Sequence, residues 1–157
     1  MQIKLMVLGK TDDPNFKNLI EEYKKRLCFY TRFEIECIPD LKNAKNMSEN
    51  QQKEKEGSLI LDKTRGADVV VLLDEKGKNY TSEEFAGFLQ KKMNAGTRNL
   101  VFVIGGPYGF SKAVYEKFPT RISLSKMTFS HQMIRLFFTE QLYRAFTILR
   151  NEPYHHR

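Results

Sequence analysis

FVIGGPYGF at Phe102–Phe110 and LSKMTFSHQMIRLFFTEQLYRAF at Leu124–Phe146 decide the fold. The first joins a continuous apolar run, Leu100–Ile104, to a glycine-rich loop, Gly105–Phe110. Such a run fits a strand covered on both faces, as in a parallel sheet. The second is a polar loop, Ser125–Ser130, that feeds a long amphipathic helix. From His131 onward, Ile134, Phe137, Phe138, Leu142, Ala145 and Leu149 fall on one helical stripe. Thr128 or Ser130 caps this helix, Ser111 caps a short helix after the glycine loop, and Ile122–Leu124 is a last short strand.

The same alternation extends to the N-terminus. Ile3–Leu8 is a strand ending at Gly9, and Asp12 or Asp13 caps a helix with Pro14 in its first turn. Phe16, Leu19, Ile20, Tyr23 and Leu27 carry the helical spacing. Phe33, Ile35 and Cys37 alternate with Glu34 and Glu36 in a half-exposed strand that Pro39 closes. The lysine-rich stretch 42–55 resembles a linker in composition. Ser48 and Gln51 nevertheless have capping-box spacing, which predicts a helix with a solvated face behind a mobile loop at residues 40–47. Val69–Leu73 is a second buried-type strand, and Asp74–Lys78 reads as a charged turn after it. Thr81 and Glu84 form another capping box before a helix marked by Phe85, Phe88, Leu89 and Met93 and ended by Gly96. Regular alternation without a repeat or break predicts one α/β domain over residues 1–157, a parallel sheet flanked by helices. In such sheets, ligands sit at the carboxyl ends of strands, which points to the loops after Leu73, Ile104 and Leu124.

Composition narrows the class. The chain has 157 residues, 41% hydrophobic and 29% charged, with no run near the ~20 apolar residues of a membrane span. The start, MQIKLMVLGKTDD, lacks the apolar stretch of a signal peptide, so a cytoplasmic location is expected. Cys28 and Cys37 are expected to be reduced, half-buried thiols, and two Cys with three His lack zinc-site spacing. A net charge of +7 favours a polyanionic partner. Arg135, Arg144, Arg150 and Arg157, with Tyr143, Tyr154, His155 and His156, make the C-terminus basic and aromatic. That mixture suits phosphate contacts and base stacking, although a solvated helix face with a frayed tail has the same composition.

Two loops carry candidate chemistry. GGPYG differs from both the dinucleotide GxGxxG and the phosphate-binding P-loop, and Pro107 removes an amide donor. It suits a pocket for a flat, neutral base better than a phosphate cradle, or it is an ordinary strand-to-helix turn. In LSKMTF, Ser125, Thr128 and Ser130 have His131 downstream but no acidic residue at triad spacing. Met127 and Phe129 pack in the core or line an apolar wall. His131 is a base, a substrate contact or a solvated first-turn residue.

Several stretches resemble the RlmH (YbeA-like) 23S rRNA pseudouridine methyltransferases, a branch of the SPOUT class. They are LLDEKGKNYTSEEFA at 72–86, VFVIGGPYGFS at 101–111, ISLSKMTFSHQMIR at 122–135 and EQLYRAFTILRNEPYHH at 140–156. The resemblance implies a deep C-terminal trefoil knot and a homodimer with knotted regions facing each other. It implies S-adenosylmethionine as methyl donor, with no metal, held by Leu73, Gly105, Gly106, Leu124, Ser125, Lys126, Met127, Thr128 and Phe129. The implied reaction is methylation of N3 of a pseudouridine in 23S rRNA of the large subunit or assembled ribosome. His131, Tyr154, His155 and Arg144 are the candidates for removing the N3 proton, orienting the base or stabilising its charge. No DNA or membrane partner is expected. Two other classes fit the residues alone: a Rossmann-type nucleotide enzyme, and a non-catalytic ribosome-binding or assembly protein.

Overall fold

Asp13, Ser48, Thr81, Ser111 and Ser130 each cap a helix, so local polar chemistry punctuates the chain where the hydrophobic period changes. The computed structural model describes residues 1–156; Arg157, read as part of the basic terminus, lies outside them. Strand β1 (Gln2–Leu8) leads to α1 (Pro14–Leu27) and β2 (Arg32–Ile38). A 3-10 turn (Ala44–Asn46) precedes α2 (Glu49–Lys63), and β3 (Val69–Asn79) leads to α3 (Ser82–Asn94). Then come β4 (Asn99–Ile104), α4 (Lys112–Lys117), β5 (Arg121–Ser123) and α5 (His131–Leu149). Both predicted capping boxes form. Ser48 accepts from the Gln51 amide at 3.2 Å while Gln51 accepts from the Ser48 amide at 3.0 Å. Thr81 and Glu84 exchange the same bonds at 3.1 and 2.7 Å.

Among the described residues the strands form one parallel sheet in the order β2-β1-β4-β3-β5. Alternate side chains of its inner strands feed two cores. Val71, Leu73, Leu100, Phe102 and Ile104 pack with Phe85 and Leu89 of α3 and with Phe138, Leu142 and Phe146 of α5. Val70, Leu72, Val101 and Val103 pack on the other face with Ile60 of α2 and Val114 of α4. This is why those strands read as unbroken apolar runs. Each such side chain, fully buried, contributes roughly 1.5–3 kcal/mol of transfer free energy. The Phe102 and Phe138 rings, with centroids 4.8 Å apart, fasten α5 to the middle of the sheet.

Four sequence expectations need correction. The charged turn at Asp74–Lys78 is a bulge inside a longer β3. Leu73 and Lys78 both pair with Ile122, and the residues between them leave the ladder. Asp74 closes the bulge by accepting from the Lys76 amide at 2.9 Å. Gly77 lies so close to β5 that a Cβ there would meet the Arg121–Ile122 backbone at 2.8 Å. The last strand is Arg121–Ser123, one residue earlier than its apolar pattern suggests. Both cysteines are free but exposed rather than half-buried. Arg135 is 1% exposed and is unavailable for phosphate. It donates to the Leu8 carbonyl at 2.8 Å and to Thr11 Oγ1 at 3.0 Å.

Candidate active site

Parallel register brings the bulge of β3 to the level where β4 and β5 end. Leu73 pairs with Ile104 of β4 on one side and Ile122 of β5 on the other. The loops that follow enclose a cavity of about 220 Å³. Of the nine residues expected to hold a cofactor, Leu73, Gly105, Gly106, Leu124, Ser125, Met127, Thr128 and Phe129 line it; Lys126 is exposed on the same loop and is not in the wall. Met127 is 75% exposed, so it stands at the mouth rather than in the core. His131 and Ile134 of α5 complete the wall, together with Asp74 and Glu75 of the β3 bulge.

The glycine loop is a tight turn. Gly109, at φ 81°, donates its amide to the Gly106 carbonyl at 3.1 Å. Across the cavity, Ser125 Oγ accepts from the Met127 amide at 3.0 Å, and Ser123 Oγ donates to the Ser125 carbonyl at 2.7 Å. Thr128 Oγ1 donates to Glu75 at 2.8 Å, tying this loop to the β3 bulge. Ser130, not Thr128, caps α5 by accepting from the Met133 amide at 3.2 Å. Phe129 packs edge-on against Phe137 with centroids 5.1 Å apart. Asp74 is held by the Tyr115 hydroxyl of α4, and Arg121 lies 4.2 Å from the Tyr115 ring centre. Burial and this bond to Asp74 push the Tyr115 phenol up to about 12.

The wall has an unusual charge for this chain. In a protein of net charge +7, the described residues of the cavity wall include two carboxylates and neither Lys nor Arg. That favours a ligand carrying positive charge. Asp74 and Glu75 went unnoticed in the sequence because they read as a turn. The usable signal was their position directly after the strand end. Burial, helped by the Arg135 charge, holds the His131 imidazole below its ordinary value. It is therefore neutral at pH 7 and can take a proton.

Arg144, Tyr154 and His155 are brought together elsewhere. Arg144 donates to Glu140 from Nη2 at 2.6 Å and from Nε at 3.1 Å. Tyr154 donates to the same Glu140 oxygen at 2.9 Å, and Arg144 Nη1 lies 3.1 Å from His155 Nδ1. His155 Nε2 is 3.8 Å from Glu83. The tail is thereby fastened, and Tyr30 anchors it further by donating to Glu152 at 2.5 Å. Burial and bonds to Tyr23 and Glu140 raise the Tyr154 phenol, so it stays protonated and serves as a donor rather than a base. Arg144 borders a second cleft, of about 710 Å³, lined also by Leu19, Tyr23 and Phe137. The two hollows share Ile122, Leu124, Ser125 and Phe129, but within one chain His131 does not join the Arg144 cluster. Among the described residues, no group of three or more His, Cys, Asp or Glu is placed to hold a metal ion. Nor is any described helix long and apolar enough to cross a membrane.

Residues 1–155 match the model of a family described as predicted SPOUT methyltransferase. The chain is 62% identical over 157 residues to the Ribosomal RNA large subunit methyltransferase H of Flavobacterium johnsoniae, covering 100% of both. It is 63% identical to the proteins of that name from Christiangramia forsetii, over 100% of both chains, and Parabacteroides distasonis, over 99% of both. Among solved structures it resembles a probable methylase family protein from Haemophilus influenzae, with a TM-score of 0.54 at 11% identity. That match covers 95% of this chain and 66% of the other, and it speaks to the fold alone.

Proposed function

The chain belongs to the SPOUT methyltransferase family, and from that premise we propose that it methylates N3 of a pseudouridine in 23S rRNA, with S-adenosylmethionine as donor. The observation that carries this reading is the cavity between the β3 bulge and the ends of β4 and β5, walled by Asp74 and Glu75 with no Lys or Arg among its described lining residues. The donor has a sulfonium and an ammonium group, and the wall's charge suits both. Leu73, Ile104, Ile122 and Leu124 offer apolar surface to a purine, and Gly105 and Gly106 let the backbone approach it closely. When bound, S-adenosylmethionine supplies an already activated methyl group, so no metal is required.

The protein's own part is to position the base and manage one proton. His131, neutral and at the cavity wall, would accept the N3 proton as the methyl group passes from the donor's sulfur to N3. Arg144, Tyr154 and His155 lie outside the cavity, and their role is assigned across a homodimer. Leu19, Met133 and Phe137 leave exposed apolar surface on α1 and α5 that a second copy would cover. The partner's cationic cluster would then face the rRNA beside this cavity. The C-terminal trefoil knot and a cytoplasmic location belong to the same proposal; the full-length identity to rRNA methyltransferases supports both.

The cavity favours this reading over a Rossmann-type enzyme, because its glycine loop lacks the dinucleotide spacing. A non-catalytic ribosome-binding protein would have no use for it. The test is methyl transfer from radiolabelled S-adenosylmethionine to ribosomes from a strain lacking this gene, with wild-type ribosomes as control. Label in large-subunit rRNA of the deletion ribosomes only, mapping to one pseudouridine, is the expected result. No label on either would remove the assignment.

A further inference from the structure

Helix α2 lies in the other core and contributes nothing to the cavity wall, yet two adjacent residues on it grip the glycine loop. Glu56 is only 7% exposed. Its Oε2 accepts a long bond from Gln52 at 3.3 Å, and its Oε1 has no hydrogen-bond partner among the described residues. The carboxylate lies directly against Gly106: a Cβ there would meet its oxygens at 2.5 and 2.6 Å. The next residue, Gly57, meets the far end of the same loop. A Cβ on Gly57 would lie 2.3 Å from Oγ of Ser111, the buried cap of α4. The loop is thus clamped at Gly106 and at Ser111 by one turn of α2.

A buried carboxyl with an orphaned oxygen is destabilising, so stability alone does not explain Glu56. Burial also holds this carboxyl above the usual carboxylate range, with Asp40 adding to the rise and Gln52 opposing it. We propose that Glu56 is a positioning residue for the cofactor cavity: it sets the height of Gly106, with Gly57 docking the loop's other end. A side chain at 106 would have to push the Glu56 carboxylate aside. Glu56 acts through the loop and touches no reacting atom. The inference rests on the reading that this cavity binds S-adenosylmethionine.

The test is titration of S-adenosylmethionine into the full-length wild-type protein and the variants E56Q, E56L, E56A, G106A and E56A/G106A, with KM and kcat on ribosomes. The wild type is read first, since its failure to bind would overturn the cofactor reading and this inference with it. With binding established, E56A and E56L are expected to raise Kd and KM about tenfold while kcat at saturation stays within about twofold. E56Q, which keeps the shape, is expected within about threefold of wild type. G106A should be costly alone and less so beside E56A, where its methyl has room, so the two losses do not multiply. E56L removes the orphaned oxygen and decides the matter if E56A fails to fold. Unchanged affinity in E56A or E56L, a fall in kcat at constant KM, or losses that multiply in the double variant would each overturn the proposal.

Discussion

His131 illustrates how one side chain's neighbourhood fixes its chemistry. Burial and the Arg135 charge both disfavour the imidazolium, so its pKa in the folded chain lies below the ordinary 6.5. The acid limb of kcat/KM should therefore fall below pH 6.5, and a limb at or above that value would discard His131 as the base. H131Q should lose about 10²–10⁴-fold in kcat with its fold intact, measured by methyl transfer beside a melting curve. The same shift affects stability. Below pH 6.5 the unfolded chain binds a proton here that the folded chain resists, so stability drops as pH falls from 6.5 toward the folded pKa. H131Q should flatten that part of the profile. Arg135 shows what the sequence withheld at this scale. It falls between exposed and buried faces of the helical stripe, and only the loop at Leu8–Thr11 reveals that it is an interior strap.

Among the elements, β3 departs furthest from its sequence signal. Its charged half breaks the apolar pattern and reads as a turn, yet pairing with β5 resumes at Lys78 and Asn79. The partner strand, 44 to 49 residues downstream in register, is invisible to a local window. G77A would place a methyl 2.8 Å from the β5 backbone. It should destabilise the chain by about 1–3 kcal/mol in denaturant unfolding. It should also raise KM for S-adenosylmethionine, because the bulge carries Asp74 and Glu75 into the cavity wall. A KM unchanged in a destabilised G77A would show that the bulge does not shape the site. The caps behave differently. Each depends on residues two or three apart, and every helix start was legible, two of them as a choice between neighbouring caps.

At the scale of the whole molecule, charge is divided. The chain as a whole carries +7, while the cavity wall presents two carboxylates. Binding to ribosomes should weaken with salt, log K falling linearly with log salt concentration. The apolar strip of Leu19, Met133 and Phe137 should be the dimer contact. F137D is expected to shift the protein to a monomer in sedimentation velocity and to lose transfer to ribosomes, since the Arg144 cluster then has no neighbouring cavity. A dimeric F137D would place the interface elsewhere.

The sequence by itself determined the alternation of strands and helices, the capped helix starts and the loops that carry the site. Each follows from hydrophobic period or short-range polar bonding, which a few neighbouring residues encode. Eight of the nine residues expected around the cofactor lie in one wall, Leu73 at the β3 bulge and the others in the loops after β4 and β5. Only the tertiary structure decided the strand order β2-β1-β4-β3-β5, the β3 bulge and the burial of Arg135. The clamp of α2 on the glycine loop and the separation of His131 from Arg144, Tyr154 and His155 were decided there too. These depend on contacts between residues tens of positions apart, and packing, not local propensity, selects them.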